Sequence, residues 1–175
     1  HSYAKSIGYA LRNFVARSFG SYIRNVDYYC CLTQFQKQKL TEGGFPEERI
    51  FVLPNYLPEI NSIASECLND KGKYVGYVGR LSHEKGFDLL LEVAKRHPEI
   101  EFRFAGFIRE GETFPTLPNA HYCGMLTKEE LSSFYDDASF IVLPSRCFEG
   151  FPLTILEAYS HGRTCIVPNH GPFPE

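Results

Sequence analysis

Short apolar runs of strand length alternate with amphipathic segments of helical period from residue 74 onward. The strand-like runs span 74–78, 101–105, 120–123, 139–143 and 164–167. The helical segments span 86–95, a stretch that begins at the capping box of Thr127 and Glu130, and 152–160. Strands joined by helices of this length need crossover connections, so this order predicts an α/β fold, a parallel sheet with helices on both faces. The apolar stripes predicted for the first two helices are Phe87, Leu90, Leu91 and Ala94, and Leu131, Phe134, Tyr135 and Ala138.

The part of the chain before residue 74 has a different order. Apolar residues at helical spacing predict a helix from Ile7 to Phe19, and compact apolar runs predict strands at 28–32 and 50–53. Between these strands, Thr33 and Gln36 form a capping box that opens a short helix. Residues 61–73 are polar and weakly periodic, which is typical of a connector. We therefore expect two domains, 1–58 and 59–175.

Charge and cysteine content exclude several classes of protein. The net charge of −3 is spread along the chain, whereas a nucleic-acid binder needs clustered Lys and Arg. No apolar run approaches the length of a transmembrane helix, and the N-terminus shows no signal segment. The six cysteines include no Cys-x-x-Cys pair, which favours free thiols in a reducing compartment and argues against a zinc site. We therefore expect a cytoplasmic protein.

The first motif follows the strand that ends at Val78. Arg80 and Lys85 lie in a strand-to-helix loop that contains Gly79 and Gly86, and two cations on such a loop can bind a diphosphate. The loop matches neither a Walker A sequence nor Gly-x-Gly-x-x-Gly, which argues against ATP hydrolysis and dinucleotide binding. A solvated surface loop is the alternative interpretation.

The second motif follows the strand that ends at Leu143. Glu149 precedes a predicted helix, and Glu157 lies within it among apolar neighbours. An acid in an apolar stretch must find hydrogen-bonding partners, and sugar or ribose hydroxyls would serve. The first N–H groups of the helix, at Leu153 and Thr154, could bind phosphate. Taken alone, each glutamate fits a structural role better than a functional one.

Together the two motifs resemble the donor domain of glycosyltransferase family 4, the glycosyl transferases group 1, which have the GT-B fold. The matching segments are Gly79-Arg80-Leu81, Lys85-Gly86, Ala105-Gly106, Gly124-Met125, Pro144-Ser145, Glu149-Gly150-Phe151, Leu156-Glu157-Ala158 and His170 to Glu175. Resemblance also reaches back to Thr33-Gln34-Phe35, Leu40, Gly44 and Val52-Leu53-Pro54-Asn55. It implies that 1–58 is the end of the acceptor-side domain with a linker, and that 59–175 is a Rossmann-like nucleotide-sugar-binding domain, one half of a GT-B fold, truncated at its C-terminus.

The resemblance also implies roles for single residues. Arg80 and Lys85 would bind the donor diphosphate and act with Glu149 in catalysis, Glu149 by contacting the transferred sugar and stabilising charge, while Glu157 would contact the ribose. The remaining donor-binding residues implied are Gly79, Met125, Gly150, Phe151, Leu153 and Thr154, with Met125 near the base. A hexose such as mannose or glucose would pass, with retention and without a metal or other cofactor, to a glycan or lipid-linked acceptor. That acceptor would bind the domain that is missing here, and peripheral membrane association of the full-length protein stays open.

Some features depart from the family pattern and leave alternatives open. Pro152 stands where the family often has Gly, which removes one backbone donor. The family's acceptor-side domain supplies a histidine near the reacting sugar; His83, His121, His161 and His170 have no recognised partner and are interpreted as surface or loop residues. We therefore expect this chain alone to bind a donor without turnover. A nucleotide-sugar epimerase of the same fold and a non-catalytic nucleotide-sugar-binding domain remain the alternatives.

Overall fold

The computed structural model describes residues 3–57 and 72–175. The chain forms two compact units, His1–Pro54 and Asn55–Glu175. Most of the predicted connector at 61–73 lies outside the described residues.

The first unit contains a small parallel sheet preceded by an exposed helix. Its elements are α1 (Tyr3–Ser18), α2 (Ser21–Arg24), β1 (Tyr29–Cys31), α3 (Gln34–Glu42), a 3₁₀ turn (Glu47–Arg49) and β2 (Ile50–Val52). Strands β1 and β2 pair in parallel, with Tyr29 opposite Ile50. At the start of α3 the Thr33 hydroxyl accepts a hydrogen bond from the Gln36 N–H (3.2 Å), and the Gln36 side chain accepts one from the Leu32 N–H (2.7 Å). The predicted helix opening is therefore present, with the return bond one residue earlier than in a standard capping box.

The second unit is built on five parallel strands in the order β5-β4-β3-β6-β7. The strands are β3 (Tyr74–Val78), β4 (Phe102–Ala105), β5 (Ala120–Gly124), β6 (Ala138–Val142) and β7 (Cys165–Ile166), and the helices are α4 (Phe87–Arg96), α5 (Lys128–Asp137) and α6 (Leu153–Ser160). Successive side chains of a strand point to opposite faces of a sheet, and β3 illustrates this. Val75 and Tyr77 pack in one core cluster with α4, whereas Tyr74 packs in the other with α5 and α6. The predicted α/β fold with helices on both faces is confirmed.

Ala138 is a small exception to the predicted helix stripe. The sequence assigns it to α5, but it is the first residue of β6, fully buried beside Tyr135 in the same core cluster. Its apolar side chain is therefore buried as part of a strand. Spacing at the helical period does not distinguish this position from one more turn of α5.

The order of the strands places a topological switch point beside β3. The chain runs from β3 to its neighbour β4 on one side, and later enters β6 on the other side. Two loops therefore diverge at the carboxyl ends of these strands: the β3 loop (residues 79–86) and the β6 loop (residues 143–152). Ligands of open α/β sheets bind in the crevice at such a point.

Glycine 86 lets the two loops touch. Its φ of 72° lies in the left-handed region, and a Cβ built there would lie 1.9 Å from the Pro144 carbonyl oxygen. No residue with a side chain fits without displacing backbone. Gly86 therefore fixes how closely the β3 loop approaches the β6 loop.

None of the helices in the described ranges is both long and apolar enough to cross a bilayer. The five cysteines in those ranges, Cys30, Cys31, Cys123, Cys147 and Cys165, form no disulfide bond within the described residues.

Candidate functional site

The β3 and β6 loops bring a lysine and a glutamate into a partly buried ion pair. The Lys85 Nζ lies 2.5 Å and 2.6 Å from the two carboxylate oxygens of Glu149. The side chains are only 27% and 17% exposed. The Ser145 hydroxyl, itself buried, donates to Glu149 Oε1 at 2.7 Å. A cation and a hydroxyl therefore hold the Glu149 carboxylate in one orientation.

Arg80, the other predicted cation, is paired differently. Its Nη2 lies 3.1 Å from Glu84 Oε1, and Arg109 donates to both oxygens of the same carboxylate at 2.9 Å and 2.8 Å. A hydrogen bond from its own backbone N–H, with Arg109 and Arg80 beside it, holds the pKa of Glu84 below its usual range. Glu84 is therefore an anion between two arginines, and Arg80 remains half-exposed at the edge of the site.

A third arginine, Arg146, connects the β6 loop to helix α4. Arg146 makes a bidentate pair with Asp88 of α4, at 2.6 Å and 2.8 Å, and its backbone N–H donates to the Glu84 carbonyl at 2.9 Å. Hydrogen bonds from Arg146 lower the pKa of Asp88. These bonds keep the two loops in register beside the Lys85–Glu149 pair.

A polar cleft opens at this pair, and we call it the Lys85 cleft. Its volume is about 150 Å³, and its lining consists of Tyr77, Val78, Gly79, Arg80, Lys85, Leu143, Ser145, Glu149, Pro152 and Thr154. The Tyr77 hydroxyl donates to the Arg80 carbonyl at 2.7 Å, and burial raises the pKa of this tyrosine. The phenol therefore stays a neutral donor that fixes the backbone of Arg80.

A second cleft adjoins the first, and we call it the Met125 cleft. Its volume is about 310 Å³, and its lining consists of Val78, Gly79, Arg80, Ala105, Gly106, Phe107, Met125, Leu126 and Leu131. Gly106 has a φ of 133°, and a Cβ there would lie 2.0 Å from the Gly79 carbonyl oxygen. The two clefts share Val78, Gly79 and Arg80 as a common wall. One charged space and one largely apolar space therefore lie side by side.

Glu157 is held by a different part of the fold. The buried Tyr135 phenol on α5 donates to Glu157 Oε2 at 2.7 Å. Its sequence neighbours predicted that this acid needs a hydroxyl partner, and the protein itself supplies one. Thr154, one helical turn before Glu157 on α6, lines the Lys85 cleft.

The predicted site residues do not all lie in the same place. Gly79, Arg80, Lys85, Glu149 and Thr154 line the Lys85 cleft, and Met125 lines the adjoining one. The predicted residues that line neither cleft are Gly150, Phe151, Leu153 and Glu157. The roles assigned to all these residues remain predictions.

Each of the four histidines that were interpreted as surface or loop residues has a polar neighbour in the structure. His161 lies 2.7 Å from an Asp136 carboxylate oxygen and is only 13% exposed, and His121 lies 2.9 Å from a Glu101 oxygen. His83 approaches Asp88 at 3.4 Å. His170 Nε2 lies 3.0 Å from the Ser145 carbonyl oxygen, so this ring contacts the backbone of the β6 loop. Sequence spacing could not show these pairs, because each joins residues from different elements or distant loop positions.

Several residues at the site were missed by the sequence reasoning. Tyr77 and Ser145 line the Lys85 cleft, Phe107 lines the Met125 cleft, and Glu84 pairs with Arg80. A signal existed for Tyr77 and for Tyr135, because a tyrosine predicted in a core must find a partner for its hydroxyl. In the described ranges no group of three or more His, Cys, Asp or Glu residues could hold a metal ion, and metal independence stays a prediction.

Comparison with known proteins identifies the family. Residues 59–175 match the family described as glycosyl transferases group 1. The chain belongs to this family. The alpha-galactosylglucosyldiacylglycerol synthase of Streptococcus pneumoniae is 27% identical over 88% of the chain and 47% of its own length. The mannosylfructose-phosphate synthase of Agrobacterium fabrum is 32% identical over 85% of the chain and 39% of its own length. The chain therefore spans less than half the length of these glycosyl transferases.

A solved structure supports the same fold. The crystal structure of Anabaena HepE in complex with UDP and glucose superimposes with a TM-score of 0.71 at 17% identity, over 85% of this chain and 46% of HepE. The match at this identity concerns the fold. Membership of the glycosyl transferases group 1 and the sheet expected for one GT-B half are thus confirmed.

Proposed function

We propose that this chain is the donor-binding part of a retaining, metal-independent hexosyltransferase. It would bind a nucleoside-diphosphate hexose and pass the sugar to a glycan or lipid-linked acceptor, which the rest of the protein binds. The observation that carries this proposal is the Lys85–Glu149 pair at the switch point of the sheet, beside Arg80 and the apolar Met125 cleft.

The diphosphate fits the Lys85 cleft by charge. Lys85 and Arg80 are each paired with a carboxylate. When a diphosphate binds, each cation would exchange its carboxylate partner for a phosphate oxygen. Lys85 would turn from Glu149 to a phosphate oxygen, and Arg80 would turn from Glu84. The new hydrogen bonds would be charge-assisted like those they replace, and a diphosphate carries more negative charge than one carboxylate, which favours the exchange.

The shared wall of the two clefts suggests where the base and the sugar of the donor would lie. The base would occupy the Met125 cleft, between the exposed side chains of Phe107 and Met125. The sugar would lie at Glu149, whose carboxylate is freed from Lys85 to accept hydroxyl hydrogen bonds. HepE binds UDP and glucose, which supports a UDP-linked hexose as the first donor to test.

The same geometry suggests how transfer would be assisted. Departure of the sugar leaves negative charge on the diphosphate, and the two cations are positioned to stabilise it. Glu149 would stabilise positive charge that develops on the sugar. These roles need no metal, since Lys85 and Arg80 supply the positive charge that a metal would otherwise provide.

A thermal-shift panel tests the donor. UDP-, GDP- and ADP-linked glucose, galactose and mannose are added at many times the expected Kd, where a specific ligand stabilises by about 3 kcal/mol. We expect one base to raise the Tm clearly more than the others, and the free hexoses to have no effect. Equal shifts with all bases, or none, would contradict the proposal. Nuclear magnetic resonance of the product made by the full-length enzyme then tests retention, because the anomeric coupling constant must match that of the donor.

A further inference from the structure

Tyr135 is the most deeply buried tyrosine near the site, and its hydroxyl contacts an acid. The side chain is 1% exposed, and the phenol donates to Glu157 at 2.7 Å. Burial and the neighbouring Glu157 carboxylate raise the pKa of the phenol, so the proton stays on the tyrosine. Glu157 therefore keeps a neutral donor on one oxygen over the whole physiological pH range.

Two neighbouring rings hold the tyrosine ring in place. The His161 ring stacks on it, with centroids 5.4 Å apart and an interplanar angle of 24°, and the Phe134 ring meets it edge to face at 6.3 Å. His161 is in turn held by Asp136 at 2.7 Å. A ring fixed in this way cannot follow a moving carboxylate, so Glu157 takes its orientation from Tyr135.

The orientation of Glu157 matters because of where α6 lies. Thr154, three residues earlier, lines the Lys85 cleft, and residues three apart on a helix share a face. The Thr154 side chain also lies beside the Tyr135 phenol oxygen. Because Oε2 accepts from the phenol, Oε1 is the carboxylate oxygen that a ligand hydroxyl would use.

We propose that Tyr135 is a positioning residue that orients Glu157 toward the ribose hydroxyls of the donor, and that it thereby sets the preference for ribose over deoxyribose. This inference rests on the proposed function as donor-binding part, together with the ribose contact that the family resemblance implies for Glu157. It goes beyond that function by assigning part of the sugar selectivity of the nucleoside to a core residue of α5 that does not itself line either cleft.

The test measures a selectivity ratio rather than an affinity. UDP, GDP and ADP, with their 2′-deoxy and 3′-deoxy forms, are titrated calorimetrically into the wild type and into Tyr135→Phe, Glu157→Gln and Tyr74→Phe. Tyr74 is the matched control, because its buried phenol in the same core cluster donates at 2.8 Å to a backbone carbonyl, that of Phe134. Its loss should reduce stability as much without touching Glu157.

We expect the wild type to prefer the ribonucleotide by about tenfold, the scale of a site built to hydrogen-bond a hydroxyl. Tyr135→Phe and Glu157→Gln should both reduce this preference to about twofold, whereas Tyr74→Phe should retain it. A retained preference in Tyr135→Phe with a lost one in Glu157→Gln would overturn the inference alone. A loss in Tyr74→Phe equal to that in Tyr135→Phe would also overturn it, by showing a general core effect. A preference unchanged in Glu157→Gln would instead overturn the ribose contact implied for Glu157.

Discussion

Two glutamates eight residues apart are held by opposite kinds of partner. Glu149, in the β6 loop, is gripped by the cation of Lys85 and by the Ser145 hydroxyl. Glu157, inside α6, is held by the neutral phenol of Tyr135. A diphosphate would compete with Glu149 for its lysine, but it has no reason to disturb the bond between Glu157 and a buried tyrosine.

The difference teaches that the two acids respond to a ligand in different ways. In the proposed function, the corner formed by Lys85 and Glu149 would rearrange when an anion binds, because each group can exchange its partner. The corner formed by Tyr135 and Glu157 is set before binding, since both its members are anchored in helices. One glutamate is therefore a mobile part of the site and the other a fixed part.

The largest effect is expected from a substitution that pushes apart the β3 and β6 loops. These loops carry Lys85 and Glu149, which we call the mobile corner. Gly86→Ala places a Cβ 1.9 Å from the Pro144 carbonyl oxygen, at a φ of 72°. Strain in φ and overpacking together should lower the free energy of unfolding by about 3 kcal/mol, measured by urea denaturation.

Gly111→Ala is the matched control for that variant. Its φ of 87° is equally unfavourable, but a Cβ there meets nothing within 4 Å. We expect a loss of about 1 kcal/mol from the φ angle alone. Equal losses for the two variants would show that the β3 and β6 loops do not depend on close contact.

Removing the cation of the mobile corner should have the next largest effect. Lys85→Ala is expected to weaken UDP binding by about 1–3 kcal/mol, the scale of a lost charge-assisted hydrogen bond, as measured by calorimetry. Lys73→Ala serves as the control, because Lys73 is an exposed partner of Asp137 at 2.8 Å and lies outside both clefts. Equal weakening in both would mean that only the overall charge matters.

Neutralising the acid of the same corner should act in the opposite direction. Glu149→Gln removes the competitor for Lys85, so UDP without a sugar should bind about fivefold more tightly, equivalent to about 1 kcal/mol. Glu157→Gln should weaken UDP binding instead, because its carboxylate contacts ligand in the proposal. Weakening by both variants would erase the distinction between a mobile and a fixed glutamate.

The smallest effect is expected from the Arg146–Asp88 pair, which connects the β6 loop to α4. Hydrogen bonds from Arg146 lower the pKa of Asp88, so their stabilisation is present above the ordinary aspartate pKa of about 3.9 and is lost as the pH falls through the lower folded value. The pair is partly exposed, so we expect only about 0.5 kcal/mol between pH 5 and pH 2. Asp88→Asn should remove that component of the acid sensitivity. An unchanged pH profile of unfolding in the variant would exclude a stabilising contribution from this pair.

Local signals explain why much of the fold was predictable. The strand at 74–78 was placed correctly because its apolar run is bounded by polar and glycine residues. Helix α5 begins one residue after Thr127. The Thr127 hydroxyl accepts a hydrogen bond from the Glu130 N–H, and the Glu130 carboxylate accepts one from the Thr127 N–H. Both signals lie within a few residues, so no knowledge of the remaining chain is required.

The site was predictable only in part, for the same reason. Lys85 and Glu149 were each recognised in their loops, but they lie 64 residues apart, and no local rule states that they touch. Tyr135 was predicted to be buried, but the sequence did not show that its phenol donates to Glu157 on another helix. Gly86 was noted only as part of the loop that carries the two cations, and the structure shows that it accommodates the Pro144 carbonyl oxygen.

By itself, the sequence determined the parallel α/β sheet, the family and the short stretches that carry the charged residues. These depend on apolar period, capping and motif spacing, which are properties of neighbouring residues. The tertiary structure decided which partner each charged group has: Lys85 for Glu149, Glu84 for Arg80 and Tyr135 for Glu157. The physical reason is that strand order brings loops from distant parts of the chain to one edge of the sheet, and hydrogen bonds act only over the few ångströms that this arrangement creates.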